Sequence, residues 1–297
     1  MLSSTIARAT PRMYLSVPLA RASRHRAHPA WAATIAAARS SRAGGRRRPW
    51  LARLRRALRE DRFVLRYQPI VSLADGSVSH YEALLRLADG PDGALVAPAR
   101  FLPAAERHGL IGQIDRMVLD KVLALLSTHS GTPDPALGAA SIAINLSALS
   151  VSDPSMLEAI ERSLAHHGVE PARLMIEVTE TASISHMPRA RAFCAGMRAL
   201  GCAVALDDFG AGFGAFQYLK HLPFQYLKID GSFIRGLPRS PHDQLVVKAL
   251  AGLARSLGSH TIAECVEDAA TLRLLGRLGV EHAQGFHVGA PRVLAGA

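Results

Sequence analysis

Short apolar runs alternate with amphipathic segments along most of the chain, from Arg53 to Gly285. The runs are rich in Val, Ile and aromatic residues, which is typical of strands. Between the later runs, segments such as IGQIDRMVLDKVLALLS and HDQLVVKALAGLARSLG repeat apolar residues with helical spacing, and several end in Gly, the usual helix stop. The pattern predicts eight strands, at residues 63–71, 77–87, 141–147, 173–180, 203–208, 226–230, 260–264 and 281–285.

The first two predicted strands differ from the others because a short turn, LADGS, joins them. Such a pair is expected to form an antiparallel hairpin. The later strands alternate with helices, which indicates parallel strand–helix units. Eight strands in about 235 residues favour a closed α/β barrel of the TIM, or (β/α)8, type over an open sheet.

Polar residues follow a regular rule in this pattern, since most lie in or just after the last turn of a predicted strand. In a barrel the carboxyl ends of parallel strands meet at one rim, so residues far apart in sequence would converge there. The candidate rim residues are Gln68, Glu82, Arg86, Asn145, Glu177, Glu180, Asp207, Asp208, Lys228, Asp230, Glu264 and Gln284.

Two adjacent carboxylates, Asp207 and Asp208, stand out in the stretch ALDDFGAGFG. Neighbouring side chains on a strand point to opposite faces, so a shared role requires the chain to bend just after Leu206. The glycines that follow would permit that bend. By itself, a pair of acids before glycine is more typical of a solvated turn.

The rim would carry five carboxylates, from Glu82, Glu177, Asp207, Asp208 and Glu264. Like charges in one place raise each other's pKa unless cations lie among them. Lys228 with two divalent cations would bring the formal charge to zero, and an all-oxygen ligand set that includes Asn145 suits Mg²⁺ or Mn²⁺. In this hypothesis Asp207 bridges the two ions and Asp208 holds the second. Paired ions support in-line displacement at phosphorus, with Lys228 orienting or deprotonating the water, or neutralising the transition state.

Each of these residues also has an ordinary structural explanation. A glutamate at a strand end can cap the next helix, Lys228 could pair with Asp230, and Asn145 could form a turn. Convergence of at least six such residues at one rim favours the functional interpretation.

The first 50 residues differ in composition from the rest, since they hold ten Arg and no acidic residue. Subtracting these ten from the 35 basic residues leaves 25 against 24 acidic ones, a nearly neutral body. Residues 1–50 are predicted to be a disordered Arg-rich arm. The alternatives are weak attachment to nucleic acid or to an anionic membrane, and an organelle transit peptide. The run WAATIAAA is too short to cross a bilayer, so no integral membrane segment is expected.

Cysteine usage and motif absences narrow the class of protein. Cys194, Cys202 and Cys265 form no CxxC pair, so neither a disulfide framework nor a cysteine–zinc site is indicated, and a cytoplasmic location is expected. The sequence has no HExxH, GxxxxGK[ST] or GxSxG motif, which excludes the simplest protease, nucleotide triphosphatase and α/β-hydrolase assignments.

Eight segments occur in the order YQPIV, EALLR, NLS, EVTE, DDFGAG, KID, ECVE and QGF. In this order they resemble the EAL domain family of cyclic di-GMP phosphodiesterases, over residues 51–291. The resemblance implies a modified TIM barrel with an antiparallel first strand, hydrolysis of cyclic di-GMP to linear pGpG, two Mg²⁺ or Mn²⁺ ions and a homodimer. It divides the chain into the arm at 1–50, the phosphodiesterase domain at 51–291 and a tail at 292–297.

The resemblance also implies roles for individual residues. Lys228 would serve the nucleophilic water, with Glu264 and Glu82 as further catalytic residues, and Glu180 would steady the loop after Asp208. The implied metal ligands are Glu82, Asn145, Glu177, Asp207 and Asp208, and the implied substrate-binding residues are Gln68, Arg86, Asp230 and Gln284.

Three departures from the family pattern bear on activity. Ala211 stands where Thr is frequent, Gly214–Ala215 replaces a common pair of serines, and Cys265 stands where Gly is usual. The second departure affects loop order, and the third suggests the hypothesis that activity responds to oxidation.

Two other functions are compatible with the sequence. One is a non-catalytic cyclic di-GMP receptor that signals through the loop after Asp208; degenerate family members usually lose a metal ligand or the lysine, and here none is lost. The other is a DNA- or membrane-binding protein that uses the arm and carries the barrel as a regulator.

Overall fold

The structure is a computed structural model that describes residues 50–89, 94–128, 140–179, 187–210, 219 and 221–295. Some predictions concern residues outside this part of the chain. They are the arm up to residue 49, the loop-supporting role of Glu180, and the departures at Ala211 and Gly214–Ala215. Within it, no helix has both the length and the apolar character needed to cross a membrane.

The strands of the described part form one sheet that closes on itself. The sheet order is β1-β9-β8-β7-β6-β5-β4-β2-β3, and β1 also pairs with β2, so β3 lies outside the closed ring of eight strands. The strands are β1 Phe63–Ser72, β2 Val78–Ala88, β3 Leu95–Val96, β4 Ser141–Asn145, β5 Leu174–Thr179, β6 Ala203–Phe209, β7 Tyr226–Ile229, β8 His260–Ala263 and β9 His282–Gln284.

Strand β1 runs antiparallel to both of its neighbours, β2 and β9, whereas β2 and β4 to β9 pair in parallel. This confirms the predicted modified TIM barrel and its opening hairpin. The two-residue strand β3 was not predicted, because two residues are too few to show an alternating pattern.

Helices cover the outside of the barrel. The longer ones coincide with the amphipathic segments of the sequence, and the short α2, α4 and α7 were not predicted. The helices are α1 Trp50–Arg59, α2 Leu102–Arg107, α3 Ile111–Thr128, α4 Ala148–Val151, α5 Pro154–His167, α6 Met187–Leu200, α7 Gly231–Ile234, α8 Pro241–Ser256 and α9 Ala269–Leu278.

Local sequence sets where these helices begin and end. Helix α5 starts at Pro154, after Asp153 accepts the Ser155 N–H as N-cap, and it ends at Gly168, which adopts a left-handed conformation with φ of 62°. Helix α9 uses the same devices, with Asp268 as its N-cap and a left-handed glycine after it. These caps satisfy backbone groups that a helix end leaves unpaired.

The apolar core lies mainly between the sheet and the helices, while the inside of the barrel holds a small apolar layer of Ala143, Met175 and Ala205. Because side chains alternate along a strand, the residue two positions later points into the barrel again, nearer the carboxyl ends. On β4, β5 and β6 those positions are Asn145, Glu177 and Asp207. The alternation of the strands therefore delivers polar groups to one rim.

Both ends of the described domain are tied to the barrel. Helix α1 buries Leu54 and Ala57, and its Arg53 forms an ion pair of 2.6 Å with Asp89. After β9, Arg292 exchanges two backbone hydrogen bonds with Tyr67 of β1.

Candidate active site

The adjacent carboxylates of β6 reach the rim through a bulge in the strand. Leu206 pairs with Leu227 and Phe209 pairs with Ile229, so Asp207 and Asp208 together face a single β7 residue. Asp208 has a left-handed φ of 54°. The bend predicted just after Leu206 is present as this bulge; its left-handed residue is Asp208, which precedes the glycines, and β6 continues to Phe209. A bulge re-aims a side chain in this way without ending the strand.

Lys228 of β7 lies at the centre of the carboxylates and is 1% exposed. Its Nζ donates to Glu177 Oε2 at 2.8 Å and lies 2.7 Å from Glu264 Oε1. Asp207 Oδ1 is 2.9 Å from Nζ but lacks hydrogen-bond geometry, and Glu82 Oε2 is 3.7 Å away. The lysine is thus the shared counter-ion of four carboxylates, and it does not pair with Asp230.

Amide side chains fix the carboxylate of Glu82. Asn145 Nδ2 donates to Glu82 Oε1 at 2.7 Å, and Gln284 Nε2 donates to Oε2 at 2.6 Å. Gln284 Nε2 also lies 3.3 Å from Gln68 Oε1, while Gln68 donates to the carbonyl of Gly289. Because Asn145 and Gln284 donate through nitrogen, their carbonyl oxygens are not used in these contacts with Glu82.

Burial and mutual repulsion act strongly on the ionisation of this site. Burial, together with the charge of Glu82, raises the pKa of Glu177, and burial raises the pKa of Glu264. Burial and the charge of Asp207 raise the pKa of Asp208 to about 7. Burial alone would lower the pKa of Lys228, but the surrounding carboxylates raise it well above its usual value. The lysine is therefore an ammonium ion, and the site lacks enough positive charge for all its acids.

The donor set fits divalent cations. Oxygen atoms of Asp207, Asp208 and Glu264 lie within 4.8 Å of one another. Glu177 Oε1, Asp207 Oδ1 and Gln284 Oε1 are buried and accept no hydrogen bond within the described residues. Buried oxygens normally have a partner, and an all-oxygen set without His or Cys is the chemistry that Mg²⁺ and Mn²⁺ prefer.

A cavity of about 340 Å³ opens beside these groups. Six residues predicted for the rim line it: Gln68, Glu82, Asp207, Lys228, Glu264 and Gln284. Sequence reasoning missed Arg235, Glu267 and the 71% exposed Phe286 as lining residues. Glu267 and Phe286 end the ECVE and QGF segments, so those segments held the signal for them.

Not every predicted residue reaches the cavity. Arg86 does not line it, and its Nη1 donates to the carbonyl of Leu85. Asp230 caps α7 by accepting the Ser232 N–H at 2.8 Å. Their assignment to substrate binding stays a prediction.

Comparison with known proteins assigns this barrel to a family. The family model described as EAL domain matches residues 51–291, which is most of the chain. The chain belongs to the EAL domain family. The match covers the whole barrel, including every rim residue considered above.

Relatives of this EAL domain include enzymes with a stated substrate. It is 36% identical over 247 residues to a Shewanella oneidensis protein named cyclic di-GMP phosphodiesterase PdeB, covering 83% of this chain and 28% of that protein. It is 37% identical over 240 residues to a bifunctional diguanylate cyclase/cyclic di-GMP phosphodiesterase, MucR, of Pseudomonas aeruginosa, covering 80% of this chain and 34% of that protein. The chain thus spans about a third of the length of these relatives.

Solved structures agree with the EAL fold. A structure described as the PaMucR phosphodiesterase in complex with c-di-GMP matches with a TM-score of 0.75 and 37% identity, covering 82% of this chain and 97% of that one.

Gly285 of the EAL domain has no room for a side chain. A Cβ there would lie 2.2 Å from both the backbone N and O of Val266. We expect Gly285→Ala to destabilise the fold by about 3 kcal/mol, since backbone atoms cannot move aside as a flexible side chain can. Urea unfolding of the two proteins measures this effect.

Gly252 in α8 is the matched control, because it is exposed and an added Cβ meets nothing within 4 Å. Gly252→Ala should stabilise the protein by roughly 1 kcal/mol through helix propensity. Equal effects of the two substitutions would contradict the close approach at Gly285.

Cys265 of the EAL domain has a left-handed φ of 56°, and its Sγ accepts from Arg235 Nη2 at 3.1 Å. Burial raises the pKa of the thiol despite this arginine. A protonated thiol oxidises slowly. We therefore expect wild type and Cys265→Gly to lose activity equally in peroxide titrations, and selective protection by the substitution would support the oxidation hypothesis.

Proposed function

We propose that this EAL domain hydrolyses one phosphodiester bond of cyclic di-GMP to give linear pGpG, with two Mg²⁺ or Mn²⁺ ions as cofactors. The observation that carries the proposal is the site itself: buried oxygens that have no hydrogen-bond partner among the described residues lie around a buried lysine beside a cavity. The names of the relatives support the same substrate.

The metal ligands in this proposal are the rim oxygens. Glu264 joins the carboxylates of the predicted set because its oxygen lies close to those of Asp207 and Asp208. When bound, the two ions would supply Lewis acidity that activates water and offsets charge on the phosphoryl oxygens. The ligands in the proposal are Glu82, Asn145, Glu177, Asp207, Asp208 and Glu264.

Lys228 acts in this proposal as a fixed cation. The surrounding carboxylates raise its pKa in the metal-free protein, so there it carries its proton. Its ammonium group can orient the attacking water and stabilise negative charge that develops on the phosphate. Of the roles that the sequence left open for this lysine, we propose orientation and charge neutralisation.

The amide groups around Glu82 hold its carboxylate in one position. Asn145 and Gln284 each donate to a different oxygen of Glu82, at 2.7 and 2.6 Å, so neither oxygen can rotate away from the rim. A ligand that is already oriented loses less entropy when a cation binds. We propose that Gln68 and Gln284 then face the substrate from the same side of the cavity, where both are lining residues.

Product analysis tests the proposal. Purified protein is incubated with cyclic di-GMP and Mg²⁺ or Mn²⁺, and chromatography is expected to show pGpG, with no product after chelation of the metal. Binding in Ca²⁺, measured by calorimetry, separates catalysis from recognition. Tight binding without turnover in either metal would overturn hydrolysis and support the receptor that signals through the loop after Asp208.

The partners and boundaries beyond the barrel are further proposals. We propose a homodimer, an Arg-rich arm at 1–50 that binds nucleic acid or an anionic membrane weakly, and a tail at 292–297. Removing residues 1–50 and measuring DNA and vesicle binding against salt tests the arm, since a lost salt slope would implicate it.

A further inference from the structure

Three histidines and a tyrosine lie inside the barrel below the candidate active site. His80, Tyr226 and His282 each precede a rim residue by two positions, namely Glu82, Lys228 and Gln284. Residues two apart on a strand point to the same face, so these rings lie one step nearer the amino ends of the strands. His260 opens the neighbouring strand β8, where it pairs with Tyr226. We call these four residues the histidine layer.

The rings of the histidine layer are in contact. The Tyr226 ring centroid lies 4.9 Å from that of His80, 5.5 Å from His260 and 5.9 Å from His282. Among the imidazoles, His282 lies 5.5 Å from His80 and 6.1 Å from His260. Zn–N distances of about 2.0–2.1 Å in tetrahedral geometry place two ligating imidazole centroids roughly 5 Å apart. The His80–His282 spacing of 5.5 Å is close to that value, whereas the His260–His282 spacing of 6.1 Å is longer.

Hydrogen bonding sets the tautomer of His282. Its Nδ1 lies 3.1 Å from Ser79 Oγ, and that hydroxyl donates its proton to the carbonyl of Ile70. Ser79 Oγ must therefore accept from His282 Nδ1–H, which leaves the lone pair on Nε2. A histidine that ligates a metal commonly donates its other ring N–H to an oxygen in this manner.

His80 shows the same arrangement, whereas the Glu281 oxygen that faces His260 Nδ1 is too far away for a hydrogen bond. His80 Nδ1 lies 2.6 Å from Ser141 Oγ, while its Nε2 is buried and has no partner among the described residues. His260 Nδ1 faces Glu281 Oε1 at 3.9 Å. His80 and His282 thus each have a hydroxyl oxygen hydrogen-bonded to Nδ1, which leaves Nε2 for another partner. Buried polar atoms normally have a partner, so the unpartnered Nε2 of His80 is a candidate metal ligand.

We propose that His80, His260 and His282 bind one Zn²⁺ ion through their Nε2 atoms, at a site separate from the oxygen-rich rim. The one group of three or more candidate ligands whose atoms already lie within 4.8 Å, in the part of the chain that the structure describes, is at the rim. Binding therefore requires side-chain movement within the histidine layer, and His260, whose side chain is 56% exposed, is the most exposed of the three histidines. His260 also opens the layer to solvent, which gives the ion a path of entry.

The two sites differ in their ligand atoms and are therefore expected to prefer different metals. Imidazole nitrogen suits zinc, whereas carboxylate and amide oxygens suit magnesium and manganese. Glu281 adds one negative charge beside His260 and is held by Thr261, whose N–H and hydroxyl donate to its Oε2. The fourth zinc position would be filled by water or by a side chain of the layer.

Zinc titration of the full chain without a purification tag tests the proposal. With excess Mg²⁺ present to occupy the oxygen site, calorimetry is expected to show one Zn²⁺ per chain, and Co²⁺ to give the visible absorption bands of a tetrahedral nitrogen site. His282→Ala and His260→Ala should weaken Zn²⁺ binding at least 100-fold, and Ser141→Ala about 10-fold, because the serine orients a ligand.

The control is a histidine pair on α5, His166 and His167, whose ring centroids are 4.9 Å apart outside the layer. Substituting both by Ala should leave the Zn²⁺ affinity unchanged. Unchanged binding in His282→Ala and His260→Ala, or loss of binding in the α5 control, would overturn the site. Far-UV circular dichroism of each variant shows that a lost site is not a lost fold, and all these readouts are independent of phosphodiesterase activity.

Discussion

Glu177→Gln is expected to lower the rate of cyclic di-GMP hydrolysis about 1000-fold while leaving the metal-free protein at least as stable as wild type. The substitution removes a charged oxygen from the buried donor set and keeps the shape of the side chain. Metal ions supply several kcal/mol of transition-state stabilisation, and each 1.36 kcal/mol is a factor of ten in rate, so weakening that contribution gives roughly this loss. Initial rates at saturating Mg²⁺ or Mn²⁺ measure it.

The stability half of this prediction follows from the raised pKa of Glu177. Burial and the charge of Glu82 disfavour the ionised carboxylate in the folded protein. A glutamate whose folded pKa is raised costs stability as the pH rises above its unfolded pKa, so at pH 7 a neutral glutamine removes that cost. Lys228 still has the carboxylates of Asp207 and Glu264 as partners. Thermal unfolding in a chelator checks this sign.

Glu158→Gln serves as the control, because Glu158 lies on the surface beside Arg162 with both side chains about 70% exposed. An exposed pair of this kind contributes under about 1 kcal/mol, so neither rate nor stability should change appreciably. Normal hydrolysis by Glu177→Gln would remove Glu177 from the metal ligands. Slow hydrolysis with a large loss of metal-free stability would mean that the glutamate serves the fold instead.

Lys228→Met is expected to destabilise the metal-free protein by about 3–5 kcal/mol, because it leaves buried carboxylates without their counter-ion. The lysine is in contact with Glu177, Asp207 and Glu264 at 2.7–2.9 Å. For a domain of this size the loss corresponds to roughly 10 °C in the melting temperature. Saturating Mg²⁺ or Mn²⁺ should restore part of it, since the cations offset the same charges. Differential scanning fluorimetry with and without metal measures both effects.

Turnover should also fall at least 100-fold in Lys228→Met, since a cation aimed at the developing charge is lost. The control is Lys121→Met, which breaks a pair with Asp61 that is 2.6 Å long but partly exposed. That change should cost under about 1 kcal/mol. If Lys228→Met melted at the wild-type temperature in a chelator, Lys228 would not be the counter-ion of the site.

The two variants together describe a compromise between stability and function. The wild-type rim concentrates five carboxylates around one ammonium group, which the fold tolerates through buried ion pairs and amide hydrogen bonds. Natural functional sites often retain a feature that lowers folding stability because the function needs it, and here we propose that the crowded charges are kept to bind the metal ions. Removing a charge from the acidic excess and removing the lysine should therefore shift metal-free stability in opposite directions.

Many of the site residues could be predicted because the apolar pattern of the sequence shows where the strands end. Glu82, Glu177 and Lys228 lie in strands whose apolar pattern is unmistakable, and a barrel brings the ends of such strands to one rim whatever the loops do. Arg235 could not be found in this way, since it follows the four-residue helix α7, and Cys265 drew notice for its identity alone. Short irregular segments carry no periodic signal, so their side chains are placed by contacts with the rest of the fold.

The sequence by itself determined the barrel, its antiparallel first hairpin, the family and the acids and lysine of the rim, because alternation, turn residues and segment order are properties of the chain. The tertiary structure decided how Asp207 and Asp208 come to share one rim, through a bulge opposite Lys228 and a left-handed Asp208. It also decided which carboxylates share the lysine and that three histidines meet beneath them. Register, bulges and side-chain contacts depend on pairing between strands that are distant in sequence. Those pairings form only when the chain folds into the barrel.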